Sequence, residues 1–288
     1  MHGSAISRKL TEGSLRTLFV TWDGPGLTYL ESLFVPIFQQ LSGRGYAFDV
    51  LQFRWGPHAE EVRAEESCRA AGIGYRSVRI HRRMGGFGPM ASALMGGRAI
   101  RRAAGEFSSN IIMPRSTLPA IACLYGRIDR GRRILFDADG LEIDERAEYA
   151  GLDPHGPTYR FLRDGETQMV RRAGAVITRT PSASEILAAR AGVDEAKFFE
   201  VANGRDSSVF HPHDATFRQA VRSELGIPSD APVVAYIGGT GEKYDTRAIG
   251  RFAHAMRVRR PDTRVLVMTG DVHKAAHHLG LGQDSVLR

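Results

Sequence analysis

Short apolar runs alternate with segments of helical period along almost the whole 288-residue chain, and this alternation constrains the fold more than any other feature. TLFVT, from Thr17 to Thr21, reads as a buried strand. The turn WDGPG and a helix carrying Leu30, Leu33, Phe34, Ile37, Phe38 and Leu41 on one face follow it. AFDVLQF is the next strand and the segment from Glu60 to Ala71 the next helix. NIIM, a helix from Thr117 to about Arg127, and RILFD repeat the unit. GAVIT then leads through Thr180 and Pro181 into a further helix, with Ser182 and Glu185 spaced as a capping box. FFEVANG closes the series as a strand and a turn. Strands separated by helices of this length imply parallel pairing through helical crossovers.

A polar stretch without a period, RDSSVFHPHDAT, interrupts the pattern. The alternation then restarts with PVVAYIGG, with Asp245 as the N-cap of a helix that presents Ala248, Ile249, Phe252, Ala255 and Met256, and with RVLVMTGD. The expected fold class is therefore α/β. A Rossmann-like parallel-sheet domain over 15–207 follows a flexible stretch at 1–14, and a partial second Rossmann-like domain of perhaps three strands covers 208–288.

Composition narrows the class of protein. With 42% hydrophobic and 25% charged residues the chain has ordinary globular usage, and its length suffices for a large core. Only two cysteines, Cys68 and Cys123, are present, which fits a reducing cytosol better than a disulfide-stapled exterior. The first residues contain no apolar run, and no stretch reaches the ~20 apolar residues of a membrane span. The net charge of +7 admits nucleic acid, anionic lipid or a phosphorylated small molecule as partner, or merely an arginine-rich composition. Nucleic acid is not expected, because aromatic residues are not interleaved with the basic ones. The segment from Arg76 to Arg102 has arginines at both ends and an apolar middle. It fits either a peripheral place on an anionic membrane surface or a helix packed on the sheet with solvated arginines.

Several residues have the chemistry of a binding site. In YIGGTGEK, Gly238, Gly239 and Gly241 let backbone approach phosphate oxygens, and Lys243 adds a mobile cation; an ordinary glycine turn is the competing reading. WDGPG places Gly24 and Gly26 beyond the first strand, where open parallel sheets bind ligands, and it does not fit G-x-G-x-x-G. Asp137, Asp139, Glu142, Asp144 and Glu145 cluster near another strand end, as substrate contacts or as surface carboxylates, and no metal site is expected from them. Arg115, at the end of NIIMP, is suited either to an anion in the cleft or to a salt bridge with Asp137 or Asp139. His273, His277 and His278 share helical spacing without companion ligands, so a metal is not expected there either.

With these pieces in order, the sequence resembles the retaining glycosyltransferases of the GT-B fold, the group-1 or family-four class, from about Leu18 to Asp271. WDGPG, PRSTLPAIA with RILFDADGLEIDER, GAVITRTPSASEIL with VANGRDSSVFHP, and VVAYIGGTGEK carry the resemblance. The third is the most specific: Asn203, Gly204, Asp206, Phe210 and Pro212 match the family's hinge signature. The resemblance implies transfer of a sugar from a nucleotide diphosphate sugar, as co-substrate and without a further cofactor, to a cytosol-facing acceptor in polysaccharide or glycolipid assembly. It makes Arg115 and Asp137 the catalytic candidates. Gly238, Gly239, Gly241 and Lys243 become donor contacts, and Gly24, Gly26, Asp139, Asp144 and Glu145 the acceptor-side loop. Two departures stand out: Gly239 replaces the family's arginine, and Arg115 stands where many members have histidine. The chain also ends before the family's paired glutamates, so poor turnover by these 288 residues is expected. An inactive remnant or binding module of the same fold is the alternative, and a GT-B epimerase a cousin possibility.

Overall fold

A computed structural model describes residues 15–80, 87–240, 243–270 and 272–279. The chain divides into two compact units, one ending at Asp206 and one starting at Ser207.

The first unit is built on seven strands, all parallel. β1 (Arg16–Asp23) leads through a π-turn (Leu30–Phe34) into α1 (Val35–Ser42), and β2 (Ala47–Arg54) into α2 (His58–Ala70). Next come β3 (Gly74–Arg79), α3 (Phe87–Glu106), β4 (Ile111–Pro114) and α4 (Thr117–Tyr125). β5 (Arg133–Asp139) is followed by two helices, α5 (Glu142–Tyr149) and α6 (Pro157–Arg172). β6 (Ala175–Thr178), α7 (Pro181–Ala191) and β7 (Phe198–Glu200) complete the unit. The sheet order is β3-β2-β1-β4-β5-β6-β7. The chain thus works outward from β1 in one direction, then restarts from β4 in the other. The crevice at the carboxyl ends of β1 and β4 is the switch point, where sheets of this topology bind ligands.

Apolar residues on both faces explain the near-continuous hydrophobic runs. Leu18 and Val20 join Phe53, Ile100, Ile112 and Phe136 in a core on one face. Phe19 and Val50 join Leu30, Phe34, Phe38 and Cys68 on the other. There Phe38 stacks on Phe48 with ring centroids 4.2 Å apart.

The segment between Arg76 and Arg102 adopts the packed arrangement. Ala93, Ile100, Ala103 and Ala104 of α3 are buried, Arg76 pairs with Glu106, and Arg98 and Arg102 are exposed; Arg82 and Arg83 lie outside the described residues. α3 crosses α4 at two glycines, where a Cβ on Gly97 would come within 2.3 Å of the Gly126 Cα. This contact accounts for the Gly-Gly pair in an otherwise helix-favouring run. None of the helices is long and apolar enough to cross a membrane, among the described residues.

The second unit contains α8 (Ala215–Glu224), β8 (Val233–Ile237), α9 (Thr246–Arg259), β9 (Arg264–Met268) and α10 (Val272–Leu279). β8 and β9 form a parallel pair, so the described residues hold two strands where the sequence suggests about three. Ala253, Val265, Val267 and Ala275 form its small core.

Local details differ from the sequence reading in two places. Thr180, not Ser182, caps α7, its Oγ1 accepting from the Ala183 N–H, because Pro181 occupies the first helical position and the cap is the residue just before it. Asp245 does cap α9, but Phe252 points to solvent at 57% exposure while Ala253 takes the buried position.

Candidate functional site

Five neighbouring strands of the first unit deliver charged side chains to the carboxyl edge, and taking one from each strand the signs alternate. In sheet order these are Arg54 of β2, Asp23 of β1, Arg115 after β4, Asp137 of β5 and Arg179 after β6. Period-two alternation places Asp23 on the Phe19 face and Arg54 on the Val50 face, which are the same side of the sheet. Arg115 lies on that side too, its guanidinium 4.6 Å from the Phe34 ring centroid.

The centre of the row is a closed quartet. Arg115 Nη1 donates to Asp137 Oδ2 and Nη2 to Asp139 Oδ2, both at 2.8 Å. From the other side, Arg179 Nη2 donates to both Asp137 oxygens and Nε to Asp139 Oδ1, all at 3.0 Å. Its Nη1 is held by the Val201 carbonyl at 2.9 Å. The Asp137 side chain is fully buried, whereas Asp139 is 40% exposed. Burial works against the charge of Arg115, but Asp137 and Asp139 outweigh it and raise its pKa. Two buried guanidiniums and a buried carboxylate would be costly alone; interlocked, each supplies the counter-charge of its neighbours.

Backbone irregularities concentrate around this quartet. Ser116 and Asp139 have positive φ values of 70° and 62°, although neither is glycine. The register between β5 and β6 shifts between Asp137 and Asp139, and a π-turn sets the Phe34 ring against Arg115. Such features persist where surrounding contacts over-determine them, and they gather at functional sites. Here the contacts are identifiable. The Ser116 N–H bonds the Asp137 carbonyl, the Asp139 N–H bonds Asp137 Oδ1, and the Ser116 hydroxyl donates to Glu142 Oε2.

Asp23 stands beside the quartet at the switch point. Its Oδ2 accepts from Gln52 Nε2 at 2.7 Å and from Thr21 Oγ1 at 3.2 Å, while Gln52 Oε1 accepts from the Tyr75 hydroxyl at 2.6 Å. Burial pushes the Asp23 carboxyl up, against the opposing pull of these donors and of Arg115 and Arg54. The following loop is braced. A Cβ on Gly24 would meet the Trp55 ring at 2.7 Å, and the Gly26 N–H bonds Glu60 Oε1 at 3.1 Å. Glu60 in turn pairs with the buried Arg54 at 3.2 Å.

The structure therefore brings Arg115, Asp137 and Asp139 together, with Gly24 and Gly26 in the loop after the neighbouring β1. Asp144 does not join them. It lies on α5 between Arg163 and Arg190, at 2.8 and 2.7 Å, in a clasp that ties α5 to α6 and α7. Glu145 is exposed on α5. Asp23, Arg54 and Arg179 are additions that the sequence reading does not single out.

The glycine turn of the second unit follows β8. The Gly238 N–H bonds the Met268 carbonyl at 3.1 Å, and the Tyr236 hydroxyl donates to the Gly239 carbonyl. Lys243 Nζ lies 5.3 Å from the Tyr244 ring centroid, just ahead of the Asp245 cap of α9. Gly241 is outside the described residues. No cluster of His, Cys, Asp and Glu suited to a metal ion occurs among the described residues.

No family model matches the chain. The solved structure of a sucrose-phosphate synthase from Thermosynechococcus elongatus superposes with a TM-score of 0.61 at 15% identity, over 94% of this chain and 70% of that one. Anabaena HepE in complex with UDP gives 0.58 at 16% identity, over 94% and 68%. The chain has the fold of the GT-B glycosyltransferases. The same fold is shared with the UDP-GlcNAc 2-epimerase of Neisseria meningitidis, at a TM-score of 0.57, 10% identity and coverage of 94% and 71%. At the level of sequence, the D-inositol 3-phosphate glycosyltransferases of Mycobacterium tuberculosis and Mycobacterium bovis are 36% identical over 86 residues. That stretch is 30% of this chain and 17% of the relatives' length.

Proposed function

We propose that this GT-B chain acts in glycosyl transfer, moving a sugar from a nucleotide diphosphate sugar to a hydroxyl of a cytosol-facing acceptor with retention of configuration. One observation carries the reading. A chain with the GT-B fold shares 36% identity over 86 residues with curated glycosyltransferases. HepE, a structural neighbour, binds UDP and UDP-glucose, which supports a nucleotide sugar as donor here.

In this reading the two units divide the work. The glycine turn after β8 lies at the strand's carboxyl end, where Gly238 and Gly239 leave room for a diphosphate beside the backbone, and Lys243 supplies a charge as the leaving group departs. Electrostatic stabilisation of that leaving group is the main chemical task, since no covalent step is required of the donor side. The charged edge of the first unit orients the acceptor hydroxyl. Arg115 and Arg179 hold Asp137 and Asp139 in place, so the acceptor meets a preorganised surface.

Calorimetry with UDP, GDP and ADP on the full chain tests the donor half. Lys243→Ala removes one charge-assisted contact, which costs ~1.5–3 kcal/mol in the affinity for the preferred nucleotide. Equal affinities for the wild type and the variant would remove Lys243 from the site. Failure of all three nucleotides to bind would overturn the donor assignment.

A further inference from the structure

The quartet's arginines have no charge to offer a ligand. Arg179 has all three of its nitrogens engaged, and Arg115 uses both terminal nitrogens on the two aspartates. Nearby, Asp23 and Glu142 add carboxyl groups, and Arg54 is paired with Glu60. Asp137 and Asp139 thus neutralise the two guanidiniums of Arg115 and Arg179, Asp23 adds a third carboxyl group within reach of Arg115, and Glu142 is itself paired with Arg146 at 4.0 Å. A phosphate here would meet carboxylates before it met a free cation, and desolvating it beside them is unfavourable. The group that is presented is Asp139. It is 40% exposed, while its two oxygens are gripped by one arginine each. An oriented carboxylate with spare lone pairs accepts hydrogen bonds from vicinal hydroxyls.

We infer that the carboxyl edge of the first unit receives an uncharged, polyhydroxylated part of the acceptor on Asp139, and that it rejects a phosphate there. This rests on the proposed function only in calling the ligand an acceptor. It sets the chain apart from the curated relatives, whose name specifies a phosphorylated inositol.

Inorganic phosphate is the probe for the charge balance, and its readout does not depend on donor or turnover. Asp139→Asn releases Arg115 Nη2 and Arg179 Nε from a carboxylate and leaves the quartet with a net positive charge. Asparagine tolerates the positive φ at this position, so the backbone is preserved, and Asp139→Gly does the same without a side chain. Asp164→Asn, on the exposed side of α6, makes the same charge change elsewhere. In isothermal calorimetry of the full chain, wild type and Asp164→Asn show the same weak phosphate affinity. Both Asp139 variants gain about tenfold or more, the scale of one charge-assisted hydrogen bond. Saturation-transfer NMR supplies the second arm, with glucose and glucose 6-phosphate. Wild type favours glucose, and Asp139→Asn reverses the order. The inference is overturned if wild type binds phosphate as tightly as the Asp139 variants. It is equally overturned if wild type prefers glucose 6-phosphate to glucose.

Discussion

Replacing Asp137 by Asn should destabilise the first unit more than any conservative change on its surface. The side chain is fully buried and carries the counter-charge for Arg115 and Arg179, which are 13% and 18% exposed. Removing one partner of a buried pair leaves uncompensated charge and typically costs 3–5 kcal/mol. Two features reduce this. Asp139 remains on both arginines, and the Asn carbonyl can still accept the Asp139 N–H. An expected loss of about 3 kcal/mol follows, near the low end of that range. At roughly 2–4 °C per kcal/mol for a domain of this size, the melting temperature falls by ~6–12 °C. Urea denaturation followed by circular dichroism gives the free energy directly. Arg179→Met combined with Asp137→Asn should cost less than the sum of the single changes, because the double variant removes both halves of the pair. A loss below about 0.5 kcal/mol for Asp137→Asn, the range of neutral surface changes, would refute the view that the quartet is a coupled buried network.

Two further outcomes follow from the same geometry. Asp23→Asn should raise stability at neutral pH, because burial penalises the ionised carboxyl and holds its folded pKa above the ordinary aspartate value of 3.8. The unfolded state then gives up its proton first, so the wild type loses stability as pH rises from about 3.8 through the raised folded pKa. The advantage of Asn should therefore vanish on acidification, as denaturation midpoints across pH will show. Gly97→Ala should cost ~1–3 kcal/mol, since its Cβ would lie 2.3 Å from the Gly126 Cα and α3 would have to move off α4; an unchanged urea midpoint would contradict that packing.

The parallel sheet was legible because its strands are buried on both faces, so TLFVT and RILFD stand out as apolar runs between helical periods. The site was legible only in part. Arg115, Asp137 and Asp139 draw notice as charged residues just past or within apolar runs. Arg179 does not, since it stands in the approach to Pro181 and reads as a helix entry. Its partners Asp137 and Asp139 lie 42 and 40 residues away in sequence. That pairing becomes visible only when the strand order sets the ends of β5 and β6 side by side. Asp23 sits within the WDGPG motif, but the glycines around it give the stronger local signal. Asp144 shows the opposite failure. It shares the acidic run with Asp137, yet one turn of helix carries it to Arg163 and Arg190 instead.

The π-turn at Leu30–Phe34 also bears on how such a site changes over generations. A π-turn is a helix with one residue too many, closed here by the Val35 N–H on the Leu30 carbonyl. Losing a single codon from this stretch would restore regular α-geometry and swing Phe34 about 100° around the helix axis, away from Arg115. The floor beneath the quartet can thus be exchanged by one deletion without altering any charged residue, at the cost of repacking the face where Phe34 meets Phe19 of β1, their ring centroids 4.6 Å apart. Descendants of one scaffold could acquire a differently shaped carboxyl edge in a single mutational step.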